Sequence, residues 1–435
     1  MRFSTRVGST RLNPIAAAEA QVQDQGILLP NVNDSNPTRH GLAPKLVPRV
    51  YTADPRGPLA ARQNLAKFLT DRNERESLMF ESRQSDIEKP AVRLGKVHTT
   101  SVNDSEGGSQ DVQEFGDATL RVNPDSLYLL SSTSQAYSWL FKLMCDPGDI
   151  VLGPKPGYPL IESIGRLENV ETVEYQLRFD GSWFIDVAWL AEFLRSEQGQ
   201  NARAIVLINP NNPTGSYIKP DERIQLAGLC REHGLAIIAD EVFFDYSLEP
   251  FPGNRRLAGQ RTALTFALDG FSKLLAAPHA KVGWIQVSGP DDLVAQAQRR
   301  LDIIADNYLP FSDIIAAAMP QLLAAVPEQL NVVKRRTQAN LNALHCLLDA
   351  DKDGLVSVLR AEGGWNVLLR FPSVVDENAL VLRLIEDFGL TGQPGYYFDM
   401  TDNGYLAVSL LPKKETFERN IRAILATVPR ELEEF

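Results

Sequence analysis

Cysteine is scarce in this sequence: Cys145, Cys230 and Cys346 are its three, scattered and without a CxxC pair. So few and so dispersed, they exclude a disulfide framework and a cysteine zinc site, and they fit a reducing cytoplasm. The five histidines (His40, His98, His233, His279 and His345) lie far apart and form no HExxH, so no metal site is expected. No run approaches the roughly 20 apolar residues that a membrane span needs. Positive charge is in deficit, with 44 Lys plus Arg against 55 Asp plus Glu and a net charge of −11. That balance repels phosphate backbones and anionic lipid, which argues against nucleic acid and membrane as partners. What is present is globular composition, 44% hydrophobic and 23% charged, over 435 residues. A chain of that length exceeds one ordinary core and suits two domains or one large α/β unit.

The first residues carry Arg2, Arg6 and Arg11 with no acid before Glu19, which superficially resembles a targeting segment. Asn13-Pro14, the stretch IAAAEAQVQDQ and then Gly26 instead punctuate a folded helix, with a cap, a proline at its first position and a glycine past its end. Residues 30–58 are rich in Pro, Asn and Arg and read as irregular, and a helix is expected at 59–69. Residues 71–122 read as a solvated insertion, highly charged at first and then free of Lys and Arg (TTSVNDSEGGSQDVQEFGD); a functional lid is the alternative.

From Leu127 the pattern changes. DIVLGPKP, ARAIVLINP, GLAIIADE and KVGWIQVSG are short apolar runs bounded by Gly, Pro or Asn, as buried strands should be. Amphipathic stretches such as SQAYSWLFKLM and DERIQLAGLCREHG separate them. The expected fold is therefore α/β, a three-layer, mostly parallel sheet with helices on both faces. Beyond residue 300 come a long helical region (301–350), a strand pair at WNVLLRF and YLAVSLL, and a closing helix, KKETFERNIRAILATV. These predict a smaller α+β domain. The expected division is 1–48 as an amino-terminal segment packing on the small domain and the site, 49–305 as the large domain, and 306–435 as the small one.

Ligands of wound sheets sit where strands run out into loops, and four such loops are chemically loaded. LLSSTSQAY offers hydroxyls and unpaired backbone amides at a helix start, an anion site by dipole and orphan donors. INPNNPTG supplies asparagines in a turn, IIADEVFFDY ends an apolar strand on Asp240 and Glu241, and DGFSKLLAAPHAKVGW holds Lys273 among small residues. Each has a plainer reading as a cap, a turn or a solvated amine. Together they supply a phosphate seat, an amide, a carboxylate and an amine, a kit for a phosphorylated pyridine aldehyde.

PGDIVLGPKPGYP, NPNNPTG, ADEV, FSK followed eight residues later by KVGW, and PGYYF occur in that order. In this the chain resembles a class I/II pyridoxal-phosphate aminotransferase of fold type I, from about SNPTR at residue 35 to residue 417. The resemblance implies pyridoxal 5′-phosphate as cofactor, with Lys273 as the catalytic lysine that bonds to its aldehyde and shuttles the proton. Asp240 would pair with the pyridine nitrogen, Asn212 would donate to the phenolic oxygen, and Tyr158 would stack on the ring. Thr133 and Ser134 match the phosphate-binding pair, helped by Ser272, with Lys281 where many members have arginine. Tyr51, before DPRG, resembles the tyrosine that reaches the neighbouring subunit's phosphate, which implies a homodimer with shared active sites.

Three departures stand out. Phe243 replaces a common tyrosine, and the loss of that second donor to the phenolic oxygen is expected to raise the pKa of the lysine–cofactor link. Gly270 stands where many members place a phosphate-binding serine. Ala407 in YLAVS takes the place of the arginine that grips the substrate carboxylate, so Arg39 or Arg370 is expected to do that work, with Asn36 beside the substrate. The implied reaction is exchange of an amino group between an amino acid and a 2-oxo acid in amino acid metabolism. A carbon–sulfur lyase using β-elimination is the alternative on the same residues. A non-catalytic regulatory domain is a third, disfavoured because only about 30 residues with one helix precede SNPTR. A nicotinamide-dependent dehydrogenase lacks its GxGxxG here.

Overall fold

The structure is a computed structural model and describes residues 13–27, 29–34, 54–87, 121–249, 253–309 and 311–433. Two helices come first, α1 (Pro14–Asp24) and α2 (Leu59–Ile87). Asn13 caps α1, its side-chain oxygen accepting from the Ala16 amide at 2.7 Å, and Gly26 follows the helix with φ +75°. The helix expected at 59–69 continues to Ile87, so the first part of the supposed insertion is helical. Its glutamates and arginines are good helix formers, and Leu65, Leu69 and Arg72 form its buried side. Residues 88–120 of that insertion lie outside the described residues.

The large unit then follows as β1 (Leu127–Leu130), α3 (Thr133–Met144), β2 (Ile150–Lys155), α4 (Leu160–Leu167), β3 (Glu171–Phe179), β4 (Trp183–Ile185), α5 (Val187–Arg195), β5 (Ala202–Ile208), α6 (Pro220–His233), β6 (Ala236–Asp240), β7 (Thr265–Gly270), α7 (Phe271–Leu274), β8 (Gly283–Ser288) and α8 (Asp291–Tyr308). Its eight strands form one sheet in the order β1-β8-β7-β6-β5-β2-β3-β4. All run one way except β8 and β4, which pair antiparallel with their neighbours. Both faces are covered, which is why β5 can be apolar at nearly every position. Ala204, Val206 and Ile208 enter the core under α3 and α8, while Ile205 and Leu207 enter the core on the α5–α6 side. This is the three-layer arrangement the sequence pattern predicts.

The rest of the chain is α9 (Asp313–Ala350), β9 (Ser357–Val358), β10 (Asn366–Arg370), α10 (Glu377–Phe388), β11 (Gln393–Pro394), β12 (Tyr405–Ser409) and α11 (Lys414–Glu433). Its four strands make an antiparallel sheet ordered β11-β12-β10-β9. The single helical region expected at 301–350 is two helices. Leu309 turns to φ +40° just before Pro310, whose ring has no amide to carry a helix onward. α9 belongs to both units: Met319, Leu322 and Val326 pack with Leu65 and Leu69 of α2, whereas Leu341 and Leu344 pack with Leu380 and Ile421 of the small unit. Ile15 and Val32 join that second core, with Ala18, Val22 and Leu29 packed against it, so α1 and the segment 29–34 lie against the small unit. No single described helix is long and apolar enough to cross a membrane.

Candidate active site

The large sheet brings the loaded loops to one rim. Leu130, Gly283 and Gly270 are paired across β1, β8 and β7, and Leu268, Asp240 and Ile208 across β7, β6 and β5. The segments SSTS, NPNNPTG, DEV and FSK therefore all leave the sheet along the same line, at the carboxyl ends of their strands. Here Gly283 is needed for close approach, because a Cβ would stand 3.1 Å from the Thr133 nitrogen.

Lys273 lies in the short helix α7 and is half-buried. Its Nζ is 5.2 Å from the centre of the Phe243 ring and 5.1 Å from that of Trp365. Those aromatic faces hold the amine where water is thin, and Tyr246 fixes the turn beneath it by donating to the Lys273 carbonyl at 2.7 Å. Desolvation lowers the lysine to about 8, against the opposing pull of Asp240. An amine in that range is part unprotonated at neutral pH and can act as a nucleophile.

Asp240 is its counterpart. It ends β6, is 9% exposed, and accepts from the Tyr137 hydroxyl at 2.8 Å on Oδ2 and from the Val242 amide at 3.3 Å on Oδ1. Burial pushes its carboxyl up to about 6; those two donors and Lys273 pull the other way, and the negative Asp269 adds to the rise. Lys273 and Asp240 thus feel each other's charge across one site. Tyr158, 46% exposed, stands over the same place, and its phenol is raised by partial desolvation and then by the charge of Asp240.

The anion end is the start of α3. Ser132 caps it by accepting from the Gln135 amide, and the Gln135 side chain takes both the Ser131 amide and its hydroxyl. Those contacts occupy Ser131 and Ser132, while the first-turn amides of Thr133 and Ser134 point out of the helix without intrahelical partners. Ser272 is the second residue of α7, which follows β7, and Lys281 is exposed in a left-handed turn (φ +52°) two residues before Gly283. A serine at Gly270, as other family patterns have, would force a shift of the backbone, because its Cβ would meet the Val282 carbonyl at 2.6 Å.

Asn212 accepts from Asn366 Nδ2 at 3.0 Å, which turns its own NH₂ away from that contact as a donor. Arg370 is not brought to this place. It is exposed at the other end of β10 from Asn366, a strand rise of roughly 13 Å away. Ala407 is fully buried in an apolar cluster with Leu359, Leu368 and Phe398, so no cation stands at that position. Asn36, Arg39 and Tyr51 lie outside the described residues. The chain leaves them at Asp34, whose carbonyl accepts from the Ser409 hydroxyl on β12; Ser409 pairs with Asn366.

Tyr137, Trp365 and Asn366 are contacts that sequence reasoning missed. An aromatic on a helix's apolar face looks like core, and Trp365 and Asn366 reach the site only through the second sheet. The donor set fits a phosphorylated pyridine aldehyde: an amine of lowered pKa, a buried carboxylate, outward amides at a helix start and an exposed ring. The buried indole N–H of Trp365, whose ring faces Lys273, is moreover without an acceptor among the described residues.

Residues 110–424 match the family described as Aminotransferase class I and II. A tyrosine aminotransferase of Caenorhabditis elegans is 23% identical over 71% of this chain and 65% of its own length. An S-alkyl-thiohydroximate lyase of Arabidopsis thaliana is 28% identical over 47% of this chain and 44% of its own. The chain therefore spans between under half and just under two thirds of these curated relatives. Among solved structures, an aminotransferase from Escherichia coli superposes with a TM-score of 0.76 at 18% identity, covering 100% of this chain and 99% of that one. An alanine aminotransferase from Pyrococcus furiosus gives 0.75 at 16% identity, covering 99% and 100%. At such identities these likenesses concern the fold.

Proposed function

The chain belongs to the class I and II aminotransferases, and from that we propose that it is a pyridoxal 5′-phosphate-dependent transaminase moving an amino group between an amino acid and a 2-oxo acid. The observation that carries this reading is the pairing of an amine lowered to about 8 with a buried carboxylate at the end of the adjacent strand. When bound, the cofactor supplies an electron-withdrawing ring that spreads negative charge developing at the substrate's α-carbon.

The chain's own part is positional and proton-handling. Lys273 is the nucleophilic amine and the base that takes and returns the α-proton, helped by desolvation that disfavours its charged form. With the cofactor bound, Asp240 would keep its ring nitrogen protonated, and Asn212, held by Asn366, would donate to the phenolic oxygen. Tyr158 would cover the ring, while the Thr133 and Ser134 amides, Ser272 and Lys281 would take the phosphate.

Two copies are proposed to make the working enzyme. Leu59, Ile303, Tyr308, Leu309 and Ile314 are each more than 40% exposed where the start of α2 meets the α8–α9 turn. Such an apolar face on charged surroundings suits a second chain. We place the protein in the cytoplasm, consistent with its unpaired cysteines.

A carbon–sulfur lyase is the second reading, supported by the likeness to the plant lyase. Reducing the cofactor-loaded protein with borohydride and mapping the modified peptide tests the central assignment. The cofactor mass is expected on Lys273 and is lost in Lys273→Ala, whose turnover falls by at least about 10²-fold. Retention on another lysine would overturn it. A panel of amino acids then separates the two reactions: transfer consumes a 2-oxo acid in equal amount, whereas elimination releases ammonia without one.

A further inference from the structure

Tyr137 sits on α3, four residues after Thr133, and is 2% exposed. Its ring packs among Ala136, Leu140 and Phe141 in the core beneath the sheet. Phenylalanine would satisfy all of that packing. The hydroxyl is the atom the core does not require, and it donates to Asp240 Oδ2 at 2.8 Å.

Resting on the function proposed above, we propose that Tyr137 is a positioning residue: its hydroxyl holds the Asp240 carboxylate in one orientation and in its ionised form, the state that can keep a pyridine nitrogen protonated. Asp240 is buried with Asp269 as a like-charged neighbour, Lys273 as its cation, and the phenol of Tyr158 alongside; Tyr175 faces Tyr137 itself. A buried carboxylate next to another needs donors to remain charged. Tyr137 and the Val242 amide supply them, and the Tyr137 contact is the shorter. The consequence is mechanical as well as electrostatic. One rigid helix presents outward amides at its first turn and, one turn later, the hydroxyl that sets the carboxylate, so the two poles of the cofactor are registered by the same element.

The test is Tyr137→Phe, alone and in an Asp240→Asn background. Loss of a hydrogen bond to a charged group is expected to weaken pyridoxal 5′-phosphate binding on the order of tenfold. In the apoprotein, the variant's loss of stability against denaturant is expected to be small at pH 5, where the folded carboxyl is mostly protonated, and larger at pH 8, where it must be ionised. In Asp240→Asn the same substitution is expected to lose that pH dependence. An equal loss at both pH values, or an unchanged pH-dependent loss in the Asp240→Asn background, overturns the proposal and leaves Tyr137 a packing residue. If the wild-type apoprotein takes up no pyridoxal 5′-phosphate, the functional reading fails, while the apoprotein comparison still decides the coupling of Tyr137 to Asp240.

Discussion

Two buried carboxylates stand at the ends of neighbouring parallel strands, and the chain treats them oppositely. Asp269, near the end of β7, is surrounded by cations: Arg72 lies 3.0 Å away and Arg256 3.7 Å, while its other oxygen accepts from the Gly270 amide. Those arginines are shared with Asp245, and Arg256 also reaches Glu76 and Glu241, so α2 and both strand ends are bound into one ionic network. Asp240, one strand over, receives a phenol, an amide and the field of a half-buried lysine, but no arginine among the described residues. The first arrangement neutralises a charge and fastens a helix to the sheet. The second leaves a charge under-compensated, as a site does when a cationic ligand is meant to complete it.

Removing each carboxylate in turn is the strongest way to break this contrast. Asp240→Asn is expected to lower turnover by about 10²–10⁴-fold, the usual worth of a positioned proton-holding group. Its apoprotein should be more stable than wild type at pH 8. A carboxyl raised from 3.8 to about 6 contributes stability at low pH that is lost as pH rises through the folded value, and the shift corresponds to up to about 3 kcal/mol. Below pH 4 the gain should vanish. Asp269 is raised by burial too, with Arg72 and Arg256 pulling the other way; its replacement by Asn leaves those buried arginines short of a partner, so a cost of about 3 kcal/mol is expected, with a far smaller change in turnover. Denaturant titration at pH 4 and pH 8 together with steady-state kinetics reads both; a shared sign of stability change at pH 8 would dissolve the distinction.

Gly270, directly after Asp269, sharpens the contrast at a smaller scale. Gly270→Ser would add a phosphate-binding hydroxyl if space allowed, but the approach to the Val282 carbonyl predicts a loss of about 1–3 kcal/mol in thermal or chemical unfolding. The smallest effect concerns the amine. With Lys273 lowered to about 8, the rate at which the apoprotein captures pyridoxal 5′-phosphate should rise about tenfold from pH 7 to pH 9, following the unprotonated fraction. Because the folded lysine holds its proton less tightly than the unfolded one, apoprotein stability should also rise with pH between about 8 and the ordinary lysine value. A capture rate flat across that range would place the amine in an ordinary solvated setting.

Much of this was legible in the residues themselves. β2, β5, β6 and β8 announce themselves because strands covered on both faces are apolar at most positions. β3 was not, since Glu171, Glu174 and Arg178 interrupt its apolar run and Glu171 and Arg178 are exposed. The length of α2 was hidden by its charge: a helix that buries Arg72 and ties a half-buried Glu76 in ion pairs carries little apolar signal. In the site, Lys273 and Asp240 could be named from ordered motifs, because each follows an apolar strand at fixed spacing. Asn366 could not, as it meets Asn212 across 154 residues of chain through a different sheet. Arg370 is a candidate because its strand is adjacent to that of Ala407, yet strand geometry carries it to the opposite end of β10 from Asn366.

The segment entering β10 joins the two units. The amides of Glu362 and Gly363 both donate to the Gly215 carbonyl, and that of Gly364 donates to the Tyr246 carbonyl. Glu362 itself is tied to Lys219 and the Tyr217 amide. The residue that meets Asn212 thus begins its strand two positions after a segment pinned to the large unit, which ties the asparagine pair to the frame that carries Lys273 and Asp240.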